Sequence, residues 1–391
     1  MTERTPLPEP LPLALLPVHI AKVHIKDFRA IVQLDLEFST RLAVFVGDNQ
    51  AGKTTVLRAI AAGLGGSSIP EFRQPPDFSG DARKSAGGSH EPEVTLGAKS
   101  GKNTNWTDPF YGLDNLWPSG MQSDLFPAER RLEDLIGDFD SWFRDRDTEE
   151  AKFVRDTRNL DYRHPQLEAV RAVVRTLVPG ALNLRTTGVT GRLVVDVEAF
   201  DGHENVFAVE ELSGGVRTFL AMVASIARTL IDADPPRGTA GPGIVFIDEI
   251  DLHLHPGWQL RVLPGLLRTF PSVQFFVTTH SEQVVSSVPS ECVYVLSRGP
   301  DGVTASAPPA VEGAAAERIL EDVMGVSKRP KEVEAQLAQY FDLIARDRGE
   351  SDDAKAIRAW LDDRFKGQDP DLVAADFEIR RRKLRRQSAA G

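Results

Sequence analysis

The chain has 391 residues, 41% of them hydrophobic and 26% charged, enough to bury a large core and carry one or two further modules. Its formal net charge of −11 makes the whole molecule repel nucleic acid, so contact with DNA needs a local basic patch or a basic partner. A lone cysteine, Cys292, excludes an intrachain disulfide, and no apolar run approaches membrane length; a cytoplasmic protein with no membrane partner is expected.

Residues 1–17 are apolar but broken by Pro6, Pro8, Pro10, Pro12 and Pro17, and they lack a basic start, which predicts a flexible arm rather than a signal peptide. His19 to Val46 reads as three strands, with alternation clear at Leu34, Leu36 and Phe38. The last of these, Leu42 to Val46, is an apolar run that leads into Gly47-Asp48-Asn49-Gln50-Ala51-Gly52-Lys53-Thr54, and helical character follows to Ala62. That is the strand–loop–helix setting of a phosphate-binding loop. Gly47 and Gly52 free the backbone on either side of Asn49 to aim N–H groups at phosphate oxygens, and the helix start adds its positive dipole end. Lys53 is expected to reach the β- and γ-phosphates of ATP, Thr54 to ligate Mg²⁺, and Thr55 to touch the α-phosphate.

Residues 66–125 are rich in Gly, Ser, Pro and Asp. Helical periodicity then begins, first through Leu132, Leu135, Ile136, Phe139, Trp142 and Phe143, then through Leu167, Val170, Val174 and Leu177. Leu193 to Val197 and Val206 to Val209 return to strands. Glu211-Leu212-Ser213-Gly214-Gly215 precedes an apolar helical stretch, with Ser213 placed as N-cap and Gly214 and Gly215 leaving the helix end open to an anion. Ile244 to Ile247 reads as a central parallel strand. Asp248 follows at its carboxyl end, where it would hold the Mg²⁺ shell, and Glu249 is the natural base for attack on the γ-phosphate. Gln274 to Val277 is the next strand; Thr278-Thr279-His280-Ser281 ends it, and His280 is expected to contact the γ-phosphate.

Residues 301–316 read as a Gly-, Pro- and Ala-rich linker. Three helices follow, marked by Val333, Leu337, Phe341 and Ile344, by Ile357, Trp360 and Leu361, and by Leu372 and Ile379. Asp369-Pro370 supplies the cap and first residue of the last helix. The chain closes on the basic run Arg380-Arg381-Arg382-Lys383-Leu384-Arg385-Arg386, which reads as a grip for DNA or an acidic partner, or as a solvated helix end.

These motifs carry a resemblance. Asp248-Glu249-Ile250-Asp251-Leu252-His253-Leu254-His255-Pro256 resembles the extended motif of OLD and RecF-like ATP-binding-cassette ATPases, and Ile25-Lys26-Asp27-Phe28-Arg29 resembles their opening segment. The resemblance implies that Arg29 reaches the nucleotide phosphates. It also implies that Leu212-Ser213-Gly214-Gly215 completes the site of a second copy, so that the protein closes on ATP as a homodimer or higher homo-oligomer. His253 and His255 then belong to the dimer-facing loop and not to a zinc site. Ile250 stands where those relatives often carry proline, and Gln74 and Gln122 are the candidates for their glutamine loop. The segment Ile319 to Pro330 and the helical tail resemble the ATPase subunits of Septu-type anti-phage systems, which implies a separate HNH endonuclease as partner.

The expected architecture is α/β: an ATP-binding-cassette-type P-loop NTPase head with an inserted helical lid and a C-terminal helical bundle. Its parts are an arm at 1–17, head halves at 18–100 and 181–300 around a lid at 101–180, a linker at 301–316 and a partner-binding tail at 317–391. The leading function is an ATP-hydrolysing sensor subunit of a defence complex, without a nuclease of its own. A RecF-like DNA repair ATPase and an ATP-gated scaffold with little turnover are the alternatives.

Overall fold

The computed structural model describes residues 13, 16, 18–64, 93–100, 104–105, 125–126, 132–187, 191–198, 204–252, 254–325, 329–366 and 369–390. Gln74, Gln122, His253 and almost all of the expected arm lie outside the described residues. The chain divides into two compact units, Met1–Gly325 and Val326–Gly391.

The first unit opens with β1 (Val18–Phe28), β2 (Ile31–Glu37), β3 (Leu42–Val46) and α1 (Lys53–Leu64). Three further strands follow: β4 (Glu93–Ser100) and the short β5 (Thr104–Asn105) and β6 (Leu125–Phe126). Next come the lid helices α2 (Leu132–Thr157) and α3 (Pro165–Leu177) and the meander β7 (Ala181–Thr186), β8 (Leu193–Glu198) and β9 (Glu204–Ala208). The unit is completed by α4 (Gly214–Ala233), β10 (Gly243–Ile247), α5 (Pro256–Thr269), β11 (Val273–Thr278), α6 (Glu282–Ser286), β12 (Val293–Gly299), β13 (Gly302–Ser306) and α7 (Ala316–Asp322).

The central sheet runs β13-β12-β3-β11-β10-β6 among the described residues, parallel except at the β13 edge. Its strands β3, β11 and β10 are buried along their whole length, as expected for strands covered on both faces. Alternation sorts their side chains between two cores. Ala43, Phe45, Ile244, Phe246 and Phe276 pack with Val56, Leu57 and Ile60 of α1 under the antiparallel sheet β2-β1-β4-β5. Leu42, Val44, Val46, Val245, Ile247 and Val277 face the other way, toward Phe219, Val223 and Ala227 of α4 and Leu263 and Leu266 of α5. The helix after the phosphate loop and the helix after Ser213 therefore lie on opposite faces of the sheet.

Two buried polar side chains fasten these layers. The Gln274 amide accepts from Ile20 N–H at 2.8 Å and donates to Ile20 C=O at 2.9 Å, standing in for a strand between β11 and β1. Arg41 donates to the carbonyls of Leu267 (2.7 Å) and Phe270 (3.0 Å), capping the carboxyl end of α5. Burial pushes its guanidinium pKa down to about 10, still far above neutrality. The lid is tied to α4 through Asp232, which accepts from Trp142 Nε1 and from Arg146, both at 3.1 Å, while Arg146 also lies 4.0 Å over the Trp142 ring.

The stretch expected to be a linker, 301–316, instead carries an edge strand and the start of a helix. Gly302, at φ +109, turns the chain so that β13 pairs back on β12, and Val303 and Val311 are buried. Ile319, Val323 and Met324, expected in the tail, pack into the core of the first unit.

The second unit holds α8 (Lys331–Ala345), α9 (Asp352–Phe365) and α10 (Pro370–Ala390). Leu337, Tyr340, Ile344, Ile357, Leu361, Leu372 and Ala375 form its core. Arg329 grips Asp369 and Asp371 at 2.7 Å each and pulls the Asp369 pKa below the usual carboxylate range. The basic run is partly spent internally. Arg381 and Arg382 pair with Glu378, and Lys383 reaches Glu350 at 3.2 Å.

Replacing Gln274 by Leu leaves the N–H and C=O of Ile20 buried without partners. Urea denaturation of the Gln274→Leu protein is expected to reveal a loss of roughly 2–4 kcal/mol in the first unit.

Candidate nucleotide site

β3, β11 and β10 are neighbours in the central sheet and run parallel, so their carboxyl ends lie side by side. The phosphate loop leaves β3, Asp248 and Glu249 follow β10, and Thr278 to Ser281 end β11. A parallel sheet gathers its chemistry along this edge.

The loop is moulded on its neighbours. A Cβ on Gly47, whose φ is +146°, would sit 2.2 Å from the Leu296 carbonyl oxygen, and one on Gly52, at φ +100°, would sit 2.9 Å from Val303 Cγ2. Both positions are closed to any side chain. Lys53 is buried, and its Nζ donates to the carbonyls of Gly47 (2.9 Å) and Asp48 (3.0 Å). Burial lowers its pKa, and the carboxylates of Asp248, Glu249, Asp48 and Asp251 oppose that shift. An ammonium held this way, inside a glycine-bearing loop at a helix start, suits a phosphate anion. Thr55 lies half-buried on α1, and Asn49 is exposed on the crown of the loop.

Thr54 Oγ1 donates to Asp248, 2.8 Å from Oδ2 and 3.1 Å from Oδ1. Thr278 Oγ1 donates to Asp248 Oδ1 at 2.5 Å and accepts the backbone N–H of Glu249 at 2.8 Å. Glu249 is held in the left-handed region, at φ 54°, a conformation that costs a non-glycine residue about 1 kcal/mol or more. Thr54 and Asp248 offer oxygen donors only, which suits Mg²⁺, an ion that takes few protein ligands and completes its shell with phosphate and water. Among the described residues no group of three or more His, Cys, Asp or Glu could form a separate metal cage.

His280 is exposed, and its backbone N–H donates to Asp251 Oδ1 at 3.2 Å. Arg29 sits in the β1–β2 turn with left-handed backbone, φ 52°. Ser213 is the N-cap of α4, exposed, with no side-chain bond to the helix, and Gly214 has open space where a Cβ would stand. The fold thus gathers Lys53, Thr54, Asp248, Glu249 and His280 at one sheet edge, and starts the Ser213 helix on the opposite face. Thr278 and Asp251 carry much of the local bonding, although neither has an expected role in the sequence. Their only signal was position within the two motifs.

Replacing Thr278 by Val removes both bonds of its hydroxyl and orphans the Glu249 N–H. Thr278→Val is expected to lose roughly 1–3 kcal/mol in a denaturant titration, while Thr278→Ser stays close to the parent.

Residues 22–158 match the family described as an AAA domain, and residues 128–286 match the family described as "AAA domain, putative AbiEii toxin, Type IV TA system". The retron Ec83 probable ATPase of Escherichia coli is 37% identical over 221 residues, covering 55% of this chain and 39% of that protein. The Septu protein PtuA of Bacillus thuringiensis is 23% identical over 352 residues, 81% of this chain and 87% of that one. Against the retron relative, the chain therefore spans about two-fifths of the length. A solved Smc head bound to the C-winged helix domain of ScpA superposes with a TM-score of 0.49 at 17% identity, covering 74% of this chain and 97% of that one. Two segments of the chain thus match families of AAA domains, and the chain is homologous, at modest identity, to retron probable ATPases and to Septu PtuA.

Proposed function

We propose that two copies of this chain close on ATP, each supplying a phosphate loop to one nucleotide and its Ser213 turn to the other, and that the closed dimer hydrolyses ATP. The observation that carries this reading is the placement of α1 and α4 on opposite faces of the central sheet. A phosphate loop and a signature turn separated in that way complement each other across two chains rather than within one.

In this reading Lys53 gives up its two carbonyl partners for β- and γ-phosphate oxygens. Thr54 and Asp248 would hold Mg²⁺, which supplies charge neutralisation across the phosphates. Glu249, one residue beyond, takes the proton of the attacking water. His280 meets the γ-phosphate from the neighbouring strand end, and Ser213 with Gly214 and Gly215 presents a helix N-terminus to the same group. Arg29, Asn49 and Thr55 complete the nucleotide contacts. The homology to retron and Septu ATPases supports a regulatory subunit in anti-phage defence. There it would control a separate HNH-type nuclease, which would also provide any contact with DNA. The second unit, with a core of its own, is the segment we assign to partner capture.

Glu249→Gln keeps the shape of the side chain but cannot take a proton. Phosphate release is expected to fall by roughly 10²–10⁴-fold while ATP binding survives and dimer accumulates on a sizing column. Near-normal turnover would assign the base to another group.

Ser213→Arg and Lys53→Ala spoil different halves of the composite site. Each alone is expected to lose hydrolysis. Mixed, they form heterodimers with one intact site, and partial recovery of phosphate release is expected. Failure to recover, with both variants folded and able to associate, would refute closure between copies.

A further inference from the structure

The loop after Glu249 and the turn that carries His280 belong to different strands, yet side chains bind them together. Asp251 Oδ1 accepts the Thr279 hydroxyl at 2.5 Å and the His280 backbone N–H at 3.2 Å. From α5, Gln259 Nε2 donates to the carbonyls of Leu254 (3.0 Å) and Asp251 (3.2 Å), and its Oε1 accepts the Ser281 hydroxyl at 2.8 Å. Ile250 N–H adds a backbone bond to Thr278 C=O at 3.1 Å. The backbone of the His280 turn is thus fixed largely by groups from the acidic loop and the helix behind it.

We propose that Asp251 and Gln259 are positioning residues that make the acidic loop and the His280 turn one rigid piece. Their side chains bond to the two protein segments. Their part is to set His280 against Glu249, so that the water-activating carboxylate and the γ-phosphate contact arrive together. Three observations support this. Thr279 is fully buried, and its hydroxyl is committed to Asp251. Asp251 lies close enough to Lys53 to act on its charge, which puts the loop inside the electrostatics of the phosphate site. Gln259 spends both ends of its amide on these two segments. A residue that only packed would need none of this directionality. The proposal rests on the reading that His280 acts in hydrolysis.

The test is a double-mutant cycle on phosphate release, with nucleotide affinity measured separately by fluorescent ATP analogue titration. Asp251→Ala is expected to lower kcat by about tenfold or more, with affinity changed less than about threefold. Asp251→Asn, whose amide oxygen still accepts both bonds, should recover most of that loss. Gln259→Ala should also lower kcat, and Gln259→Glu, which keeps the acceptor but loses the donors, should lie between. The deciding arm is Asp251→Ala in a His280→Ala background. If Asp251 acts through His280, the second substitution adds little; if the two losses multiply, the proposal is overturned. Asp251→Asn failing as badly as Asp251→Ala would also overturn it. Full activity in His280→Ala alone would remove the underlying reading instead, a result distinct from both.

Discussion

One carboxylate holds the site together. Asp248 takes a hydroxyl from the first turn of the phosphate-loop helix and a hydroxyl from the end of the neighbouring strand. Those bonds are possible only because β10, β11 and β3 end level with one another, and they end level because each is a short buried strand in a parallel register. Loss of the register by one residue would turn Asp248 toward the opposite face and Ile247 into its place. The rest of the site is arranged around this point. Thr278 carries the constraint on to the backbone of Glu249, which is held in a strained, left-handed conformation.

The same reasoning explains what could be read from the residues alone. Leu42 to Val46, Ile244 to Ile247 and the strand beginning at Gln274 are continuous apolar runs, and such runs have few alternatives to a covered parallel sheet. The glycines of the phosphate loop are legible because their spacing has a physical purpose. Other features rest on contacts made across hundreds of residues and leave no local trace. Residues 302–306 form an edge strand although their surroundings have the composition of a linker, because the pairing with β12 and the burial of Val303 decide the matter. Gln274 looks like a polar flaw in a core strand until Ile20 is brought beside it. Asp251 reads as one more acid after an acidic pair, and its meaning appears only when Thr279 and the N–H of His280 meet it. The basic run near the C-terminus shows the reverse. Its charge is conspicuous in the sequence, but Glu378 and Glu350 already occupy part of it.

The lid adds a mechanical link to the chemistry. Trp142 and Arg146 of α2 share Asp232 near the end of α4, the helix whose first turn follows Ser213. The lid contact and the Ser213 turn thus lie at opposite ends of one helix. A helix is stiff along its axis.

The contact of Gly47 with the Leu296 carbonyl and of Gly52 with Val303 carries a consequence for folding. The phosphate loop follows the third strand of the first unit, and the hairpin that shapes its back lies near the other end of that unit's sequence. β3 also waits for both of its sheet neighbours, β11 and β12. Such distant closures are slow, since the entropy of the intervening chain is spent before any contact repays it. The phosphate loop therefore takes its final shape only once the β12–β13 hairpin is in place, and that hairpin follows Asp248, Glu249 and His280 in the chain.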